Sequence, residues 1–350
     1  MKDAPADSAM CTASPSLALT KYWGKEEQGT NVPATSSLAV ALKSLTTTTR
    51  VQHALGADTV VVDGEPQAES RYAPVFEAVR AETGSASRFL VESTNDFPTA
   101  AGLASSSSGI AALVCALDAL LGAELPSWKL SRIARLGSGS AARAVFGGFT
   151  VLPAGGTEAS SIHPAEYWPE LRMLVIVLQT GSKAVSSREA MERVRRTSPY
   201  FSAWRQDAEE VFSEAREAVS VKDIDRLGHA MRLSYLRMFS TMFAADPPVV
   251  YWQPQSLSVI RVCEELRREG IPTYETMDAG PQVKVLTTVD HLDTAYAALS
   301  AVAENILVSS IGAGPQAWRE QSEPASRMRP ADDGHEVVSQ SGTPNTEDNP

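Results

Sequence analysis

The chain has 350 residues, 43% of them hydrophobic, and a formal net charge of −11. That length and apolar content can fill a large core and, at roughly 100–200 residues per domain, two domains. The acidic balance, with no basic run, argues against a nucleic-acid or anionic-membrane partner. The start Met1-Lys2-Asp3-Ala4-Pro5-Ala6-Asp7 has no apolar signal core, and runs such as 173–178 are far too short to span a bilayer. Cys11, Cys115 and Cys263 lack CxxC spacing and read as reduced packing residues, so a cytoplasmic location is expected.

In chain order, residues 16–20, 37–42, 46–53 and 59–62 read as strands, the third rich in β-branched residues. A helix over 72–82 and a strand over 88–93 lead into Asn95-Asp96-Phe97-Pro98-Thr99-Ala100-Ala101-Gly102-Leu103-Ala104-Ser105-Ser106-Ser107-Ser108-Gly109. Ile110, Leu113, Val114, Leu117, Leu120 and Leu121 then recur at helical spacing, which predicts a helix that begins near Leu103 and buries one face. Its N-terminus directs unpaired N–H groups and the positive dipole end into the serine-rich loop, as a nucleotide phosphate cradle would. A serine-rich cap or flexible loop is the bland alternative.

A further helix opens at Pro126-Ser127-Trp128-Lys129-Leu130, a strand returns over 146–152, and Gly155-Gly156 marks a boundary. Beyond it come a strand over 171–178, helices over 189–196, 202–219, 221–238 and 256–268, strands over 274–277 and 283–287, a helix over 292–303 and a strand over 306–309. That order suits a split βαβ second domain. Residues 319–350 are rich in Ser, Pro, Glu and Asp with almost no large apolar side chains, so they cannot offset their ordering entropy, and a disordered tail is expected.

Three segments carry polar groups that a core does not need. Lys21-Tyr22-Trp23-Gly24-Lys25 sets two lysines on one side of strand or helix, as a cationic site or as a solvated pair flanking a packed Trp23. Gly137-Ser138-Gly139-Ser140-Ala141-Ala142-Arg143 combines backbone donors, hydroxyls and a guanidinium, a shape suited to phosphate; a glycine-serine linker is the competitor. Thr276-Met277-Asp278-Ala279-Gly280-Pro281 ends an apolar strand in a carboxylate held by a turn, which reads as a local cap alone and as a base or electrostatic group in the company of the other segments.

Together with Ser36-Ser37-Leu38, Lys183-Ala184-Val185-Ser186-Ser187-Arg188, Thr197-Ser198-Pro199-Tyr200, Tyr251-Trp252-Gln253-Pro254 and Ile311-Gly312-Ala313-Gly314-Pro315, these segments resemble the diphosphomevalonate decarboxylases of the GHMP kinase superfamily over roughly residues 14–316. The resemblance implies an α+β GHMP kinase fold. Its parts would be a flexible N-terminus (1–13), an N-terminal domain like domain 2 of ribosomal protein S5 (14–165), a ferredoxin-like C-terminal domain (166–318) and the tail (319–350). It implies an ATP- and Mg2+-dependent phosphorylation of the 3-hydroxyl of mevalonate 5-diphosphate, then loss of phosphate and carbon dioxide to give isopentenyl diphosphate, by a homodimer. Asp278 and Lys21 take the catalytic positions. Tyr22, Lys25, Ser138, Ser140, Arg143, Arg71 and Ser187 take substrate positions. Asn95, Pro98, Gly102, Leu103, Ala104, Ser105, Ser106, Ser107 and Ser108 take ATP positions, and no metal ligand is assigned. The sequence departs from the family at Ser16 and Gln282, where Asn is usual, and at Ala142, where Cys is common. Gln282 adjoins the turn of Asp278, which leaves mevalonate 5-phosphate or 3,5-bisphosphate open as substrates. A GHMP kinase without decarboxylation is the alternative activity, and an RNA-binding module on the S5-like fold is disfavoured by the acidic balance.

Overall fold

The computed structural model describes residues 7–27, 30–97, 105–178 and 185–320. In chain order its elements are β1 (Ser8–Ala13), β2 (Ser16–Ala18), β3 (Ser37–Ala41), β4 (Thr47–Ala54), β5 (Thr59–Val62), β6 (Glu65–Pro66), α1 (Ala73–Thr83), β7 (Arg88–Asn95), α2 (Ser105–Leu121), α3 (Ser127–Gly137), α4 (Ala141–Ala144), β8 (Phe149–Leu152), β9 (Ser160–His163), β10 (Leu171–Ile176), α5 (Ser187–Thr197), α6 (Phe201–Ser220), α7 (Ile224–Phe243), α8 (Pro254–Arg268), β11 (Tyr274–Met277), β12 (Val283–Thr288), α9 (Leu292–Ser300), β13 (Ile306–Ser309) and β14 (Gln316–Glu320). They form three sheets, ordered β14-β1-β4-β7-β5-β6, β2-β3-β8-β9 and β11-β12-β10-β13.

The first sheet is antiparallel except where β5 runs parallel to β7. Helix α2 packs on it through Ile110, Leu113, Val114 and Leu117, which share a core with Ala9, Cys11, Val51 and Val91. The expected single buried face is exceeded. Ala111, Ala112 and Ala116 are buried as well, because their small side chains let α3 and α4 close over the other side of the helix.

In the third sheet the strands lie in the spatial order second-third-first-fourth, all antiparallel, with helices between first and second and between third and fourth. This is the split βαβ plan. Both faces of β10 are covered. Met173 and Val175 share a core with Leu17, Leu19 and Leu38, whereas Leu174 and Ile176 share one with Val259, Cys263 and Leu299. The sheet therefore packs one face directly against the β2-β3 region, and side chains at that seam come from sequence-distant segments.

Two expectations at the chain ends are corrected. Ser8–Ala13, read as part of a flexible N-terminus, is a strand between β4 and β14. Its inward residues Ala9, Cys11 and Ala13 are fully or almost fully buried, an alternation hidden by the small size of those side chains. Arg319 and Glu320, expected to belong to a disordered tail, instead end β14, and the Glu320 carboxylate accepts hydrogen bonds from Ser8 and Arg50. Residues 1–6 and 321–350 lie outside the described residues.

Candidate active site

Lys21 follows β2, and its backbone is fixed on both sides: its N–H donates to Ser234 Oγ at 2.9 Å and its carbonyl accepts from Thr35 Oγ1 at 3.2 Å. Its side chain is 2% exposed, and Nζ donates to the Ala18 carbonyl and to Asp278 Oδ1, both at 2.8 Å. Asp278 stands just past β11, in a turn closed by Gly280 N–H on its carbonyl at 2.7 Å. Its other oxygen, Oδ2, accepts from Lys284 Nζ at 3.0 Å.

Arg143, on α4, is 1% exposed and forms no ion pair among the described residues. Its Nε donates to Ser16 Oγ at 3.4 Å and Nη1 donates to Ser37 Oγ. A buried guanidinium whose donors, among the described residues, meet hydroxyls and no carboxylate is set up to receive an anion. Burial pushes Arg143 down to about 10, against the opposing pull of Asp278. Burial likewise pushes Lys21 down to about 8; Asp278 resists this, and the charges of Lys284 and Arg143 add to it. For Asp278 burial acts upward but is outweighed by Lys21 and Lys284, which hold the carboxyl well below the usual range. Three buried or nearly buried cations thus surround one carboxylate, leaving a local excess of positive charge.

Tyr22 donates its hydroxyl to the Asn31 carbonyl at 3.2 Å, and burial pushes its pKa up to about 12. Its ring lies so close to Gly139 that any Cβ there would collide with it, which explains the glycine of the 137–143 turn. In the same turn Ser138 Oγ and Ser140 Oγ are 3.3 Å apart. Lys25, half-buried, is held below the usual lysine range by burial and then by Arg188, while Glu192 opposes this. Ser187 and Arg188 open α5. Lys21 and, at longer range, Arg143 therefore face Asp278, Tyr22 lies near Arg143 with the 138–140 turn against its ring, and both Tyr22 and Lys25 lie near Arg188.

A second feature is a cavity of about 350 Å3 lined by, among others, Arg71, Tyr72, Asn95, Ser105, Ser106 and Gly109. Asn95 is fixed at its wall: Nδ2 donates to Asp63 Oδ2 at 2.9 Å, and Oδ1 accepts from Thr47 Oγ1 at 2.6 Å. Of the four serines, Ser105 and Ser106 line the cavity. Ser107 and Ser108 are fully buried, Ser108 bonded to Thr47 at 2.6 Å and Ser107 accepting from Ser16 N–H at 3.3 Å. Ser16 thereby bonds both to the helix that opens at the cavity and, through Oγ, to Arg143. Arg71, expected as a substrate contact, lines this cavity. Pro98, Gly102, Leu103 and Ala104 fall outside the described residues.

Residues 13–163 match the family model of the diphosphomevalonate decarboxylase-like N-terminal domain, and residues 173–324 match that of the mevalonate 5-diphosphate decarboxylase C-terminal domain. The chain is 32% identical to the diphosphomevalonate decarboxylase of Candida albicans, over 88% of this chain and 97% of that one. It belongs to the diphosphomevalonate decarboxylase family. Among solved structures, mevalonate diphosphate decarboxylase from Staphylococcus aureus superposes with a TM-score of 0.84 at 34% identity, covering 89% of this chain and 98% of that one. A complex of MDDEF with MVAPP, AMPPCP and magnesium superposes with a TM-score of 0.82 at 38% identity, covering 89% and 99%. The GHMP-kinase-like α+β fold follows from these likenesses.

Three residues of this decarboxylase-family site escaped the sequence reading. Lys284 lies in the apolar run Val283-Lys284-Val285-Leu286 of β12, and a lysine inside a buried strand was the available signal. Gln282, noted only as a departure, is 1% exposed and accepts from Leu178 N–H at 2.5 Å through Oε1. Its extra methylene reaches backbone at the end of the segment that follows β10. Ser37, named only within the resemblance segment Ser36-Ser37-Leu38, was given no role of its own.

Proposed function

We propose that the chain converts mevalonate 5-diphosphate, ATP-dependently, to isopentenyl diphosphate, ADP, phosphate and carbon dioxide. The observation that carries this reading is the cluster of Lys21, Lys284 and buried Arg143 around the single carboxylate of Asp278, joined through Ser16 to the helix that opens at the serine-lined cavity. The excess positive charge suits a polyanionic substrate, and Asp278 supplies the one proton acceptor within it.

An alcohol is about as weak an acid as water, with a pKa of ~15.7, so a carboxylate cannot ionise the 3-hydroxyl beforehand. Asp278 orients that hydroxyl and takes its proton as the γ-phosphoryl group is transferred, while Lys21 neutralises charge on the moving group. The new 3-phosphate then leaves with its bonding pair. The electrons of the carboxylate–carbon bond become the double bond as carbon dioxide departs. Arg143, Tyr22, Lys25, Ser138, Ser140 and Ser187 bind and orient the substrate in this reading. Asn95, Ser105 and Ser106 line the nucleotide cavity, and Arg71, on the wall of the same cavity, is read as a further substrate contact.

We assign magnesium to the nucleotide phosphates it accompanies, since Mg2+ keeps several waters and is commonly held by substrate phosphates with few protein ligands. We further read residues 14–165 as the nucleotide-binding half and 166–318 as the half that brings Asp278, in a cytoplasmic homodimer; light scattering tests the assembly. No described helix is long and apolar enough to cross a membrane.

The test is incubation with ATP, magnesium and, separately, mevalonate, its 5-phosphate and its 5-diphosphate, with ADP and carbon dioxide scored independently. Equal ADP and carbon dioxide from the 5-diphosphate alone is expected. ADP without carbon dioxide makes the chain a kinase, and turnover of the 5-phosphate reassigns the substrate.

A further inference from the structure

Asp278 is grasped from two parts of the fold. Lys21, from the segment after β2, takes Oδ1 at 2.8 Å, and Lys284, from β12, takes Oδ2 at 3.0 Å. Lys284 pairs in register with Thr276 on one side and Val175 on the other, which sets it on the sheet face turned toward the β2-β3 region. Its side chain is 3% exposed, and Val283, Val285 and Leu286 beside it are buried. A strand in that position forms as readily with an aliphatic residue, and desolvating an ammonium costs stability that an aliphatic side chain does not. Charge pairing does not explain the lysine either, because Lys21 already balances Asp278.

The second contact does what the first cannot. With one donor, a carboxylate can turn about its Cβ–Cγ bond while keeping its partner. With a donor on each oxygen, from two separate elements, its plane is fixed. We propose that Lys284 is a positioning residue for the reaction, fixing Oδ2 so that the Asp278 carboxylate keeps one orientation toward the substrate hydroxyl. This rests on the function proposed above. Among the described residues the charged groups that face Asp278 are Lys21 after β2, Lys284 on β12 and, at longer range, Arg143 on α4; α7 contributes the neutral Ser234 hydroxyl, which bonds the Lys21 backbone. Lys284 also helps keep the carboxylate ionised, so its removal has a pH signature that mere loosening of the strand lacks.

The experiment compares Lys284→Met and Lys284→Arg in two readouts: the carboxyl-carbon titration of Asp278 by NMR in the ligand-free protein, and kcat against pH with ATP, magnesium and mevalonate 5-diphosphate. In Lys284→Met the Asp278 titration and the acid limb of kcat are expected to move up together by about 1–3 in pH. At the plateau kcat falls on the order of 10- to 100-fold with KM for ATP unchanged. Lys284→Arg, which keeps the charge, restores the titration to near its wild-type position. Wild-type titration in Lys284→Met overturns the proposal, as does a loss confined to KM for the diphosphate. Should Lys284→Met not fold, Lys284→Gln removes the charge with a polar side chain and is judged by the same titration. If the wild-type protein releases no carbon dioxide, the proposed function fails, and the carbon titration still decides whether Lys284 fixes Asp278.

Discussion

Lys21 and Asp278 lie 257 positions apart in the chain and 2.8 Å apart in space. The seam between the β2-β3 sheet and the C-terminal sheet exists at the active site through this contact, since each residue belongs to a different sheet's margin. In the function proposed above, the pair is also the point at which the two halves of the chemistry meet, a charge for the transferred phosphate and a base for the proton.

Asp278→Asn is expected to abolish turnover while ATP still binds. The amide keeps the shape, but it turns an N–H donor toward one of two lysines and cannot take up a proton. Loss of a general base typically costs 10²–10⁴-fold in kcat. A variant that retains more than about a tenth of wild-type kcat removes Asp278 from the catalytic role. The substitution also leaves Lys21, Lys284 and Arg143 without their carboxylate, so the thermal midpoint should fall, consistent with a loss on the order of 3 kcal/mol for breaking a buried pair.

Arg143→Lys should weaken the phosphorylated substrate and spare ATP. Lysine keeps the charge, but its single ammonium cannot reach Ser16 and Ser37 while also presenting two donors to an anion. A loss of about 1.5–3 kcal/mol is expected, the range for hydrogen bonds to charged groups, which amounts to roughly 10- to 150-fold in substrate KM. A fall in ATP affinity with substrate KM untouched would mean that the 137–143 turn serves the nucleotide.

Much of this was legible in the sequence, and the gaps have physical causes. Period-two alternation and helical spacing located most strands and helices, but β1 was missed because Ala9, Cys11 and Ala13 alternate with residues hardly less apolar. Lys21, Asp278 and Arg143 stood out as charges in small-residue or turn contexts. Lys284 did not, since β12 reads as a buried strand and its lysine finds Asp278 only after β11 and β12 pair. That Arg71 shares a cavity wall with Asn95, Ser105 and Ser106 was not legible, because nothing local in the sequence brings the segment after β6 to the N-terminus of α2.

The pH profile should separate free from bound enzyme. Lys21 is pushed down to about 8 by burial in the ligand-free protein. It must be charged to receive phosphate, so kcat/KM should decline as pH rises through about 8, that parameter reporting the free enzyme. An anionic substrate beside Lys21 raises its pKa, so the alkaline limb of kcat should lie higher. Stopped assays of carbon dioxide release across the alkaline range check both; a kcat/KM that stays flat through that range counts against Lys21 as the charged group.

The C-terminal strand, at the edge of the first sheet, gives a separate test. Residues 321–350 carry no periodic apolar face, so a chain ended after Glu320 is expected to keep its thermal midpoint and kcat/KM. Ending it after Trp318 should not be neutral. Arg319 Nε donates at 2.6 Å to the Ala119 carbonyl in the last turn of α2, and Glu320 pairs with Arg50 at 3.0 Å while accepting from Ser8 at 2.7 Å. The Arg50 pair is substantially exposed and contributes little. The cation at the helix C-terminus adds about 0.3–1 kcal/mol. Together they shift the midpoint by a few degrees, at about 2–4 °C per kcal/mol for a domain of some 150–250 residues. Two truncations compared by differential scanning calorimetry decide the matter. Equal midpoints would show that the last two residues of β14 contribute nothing, whereas a large loss of activity already at the Glu320 truncation would show that the tail serves the site.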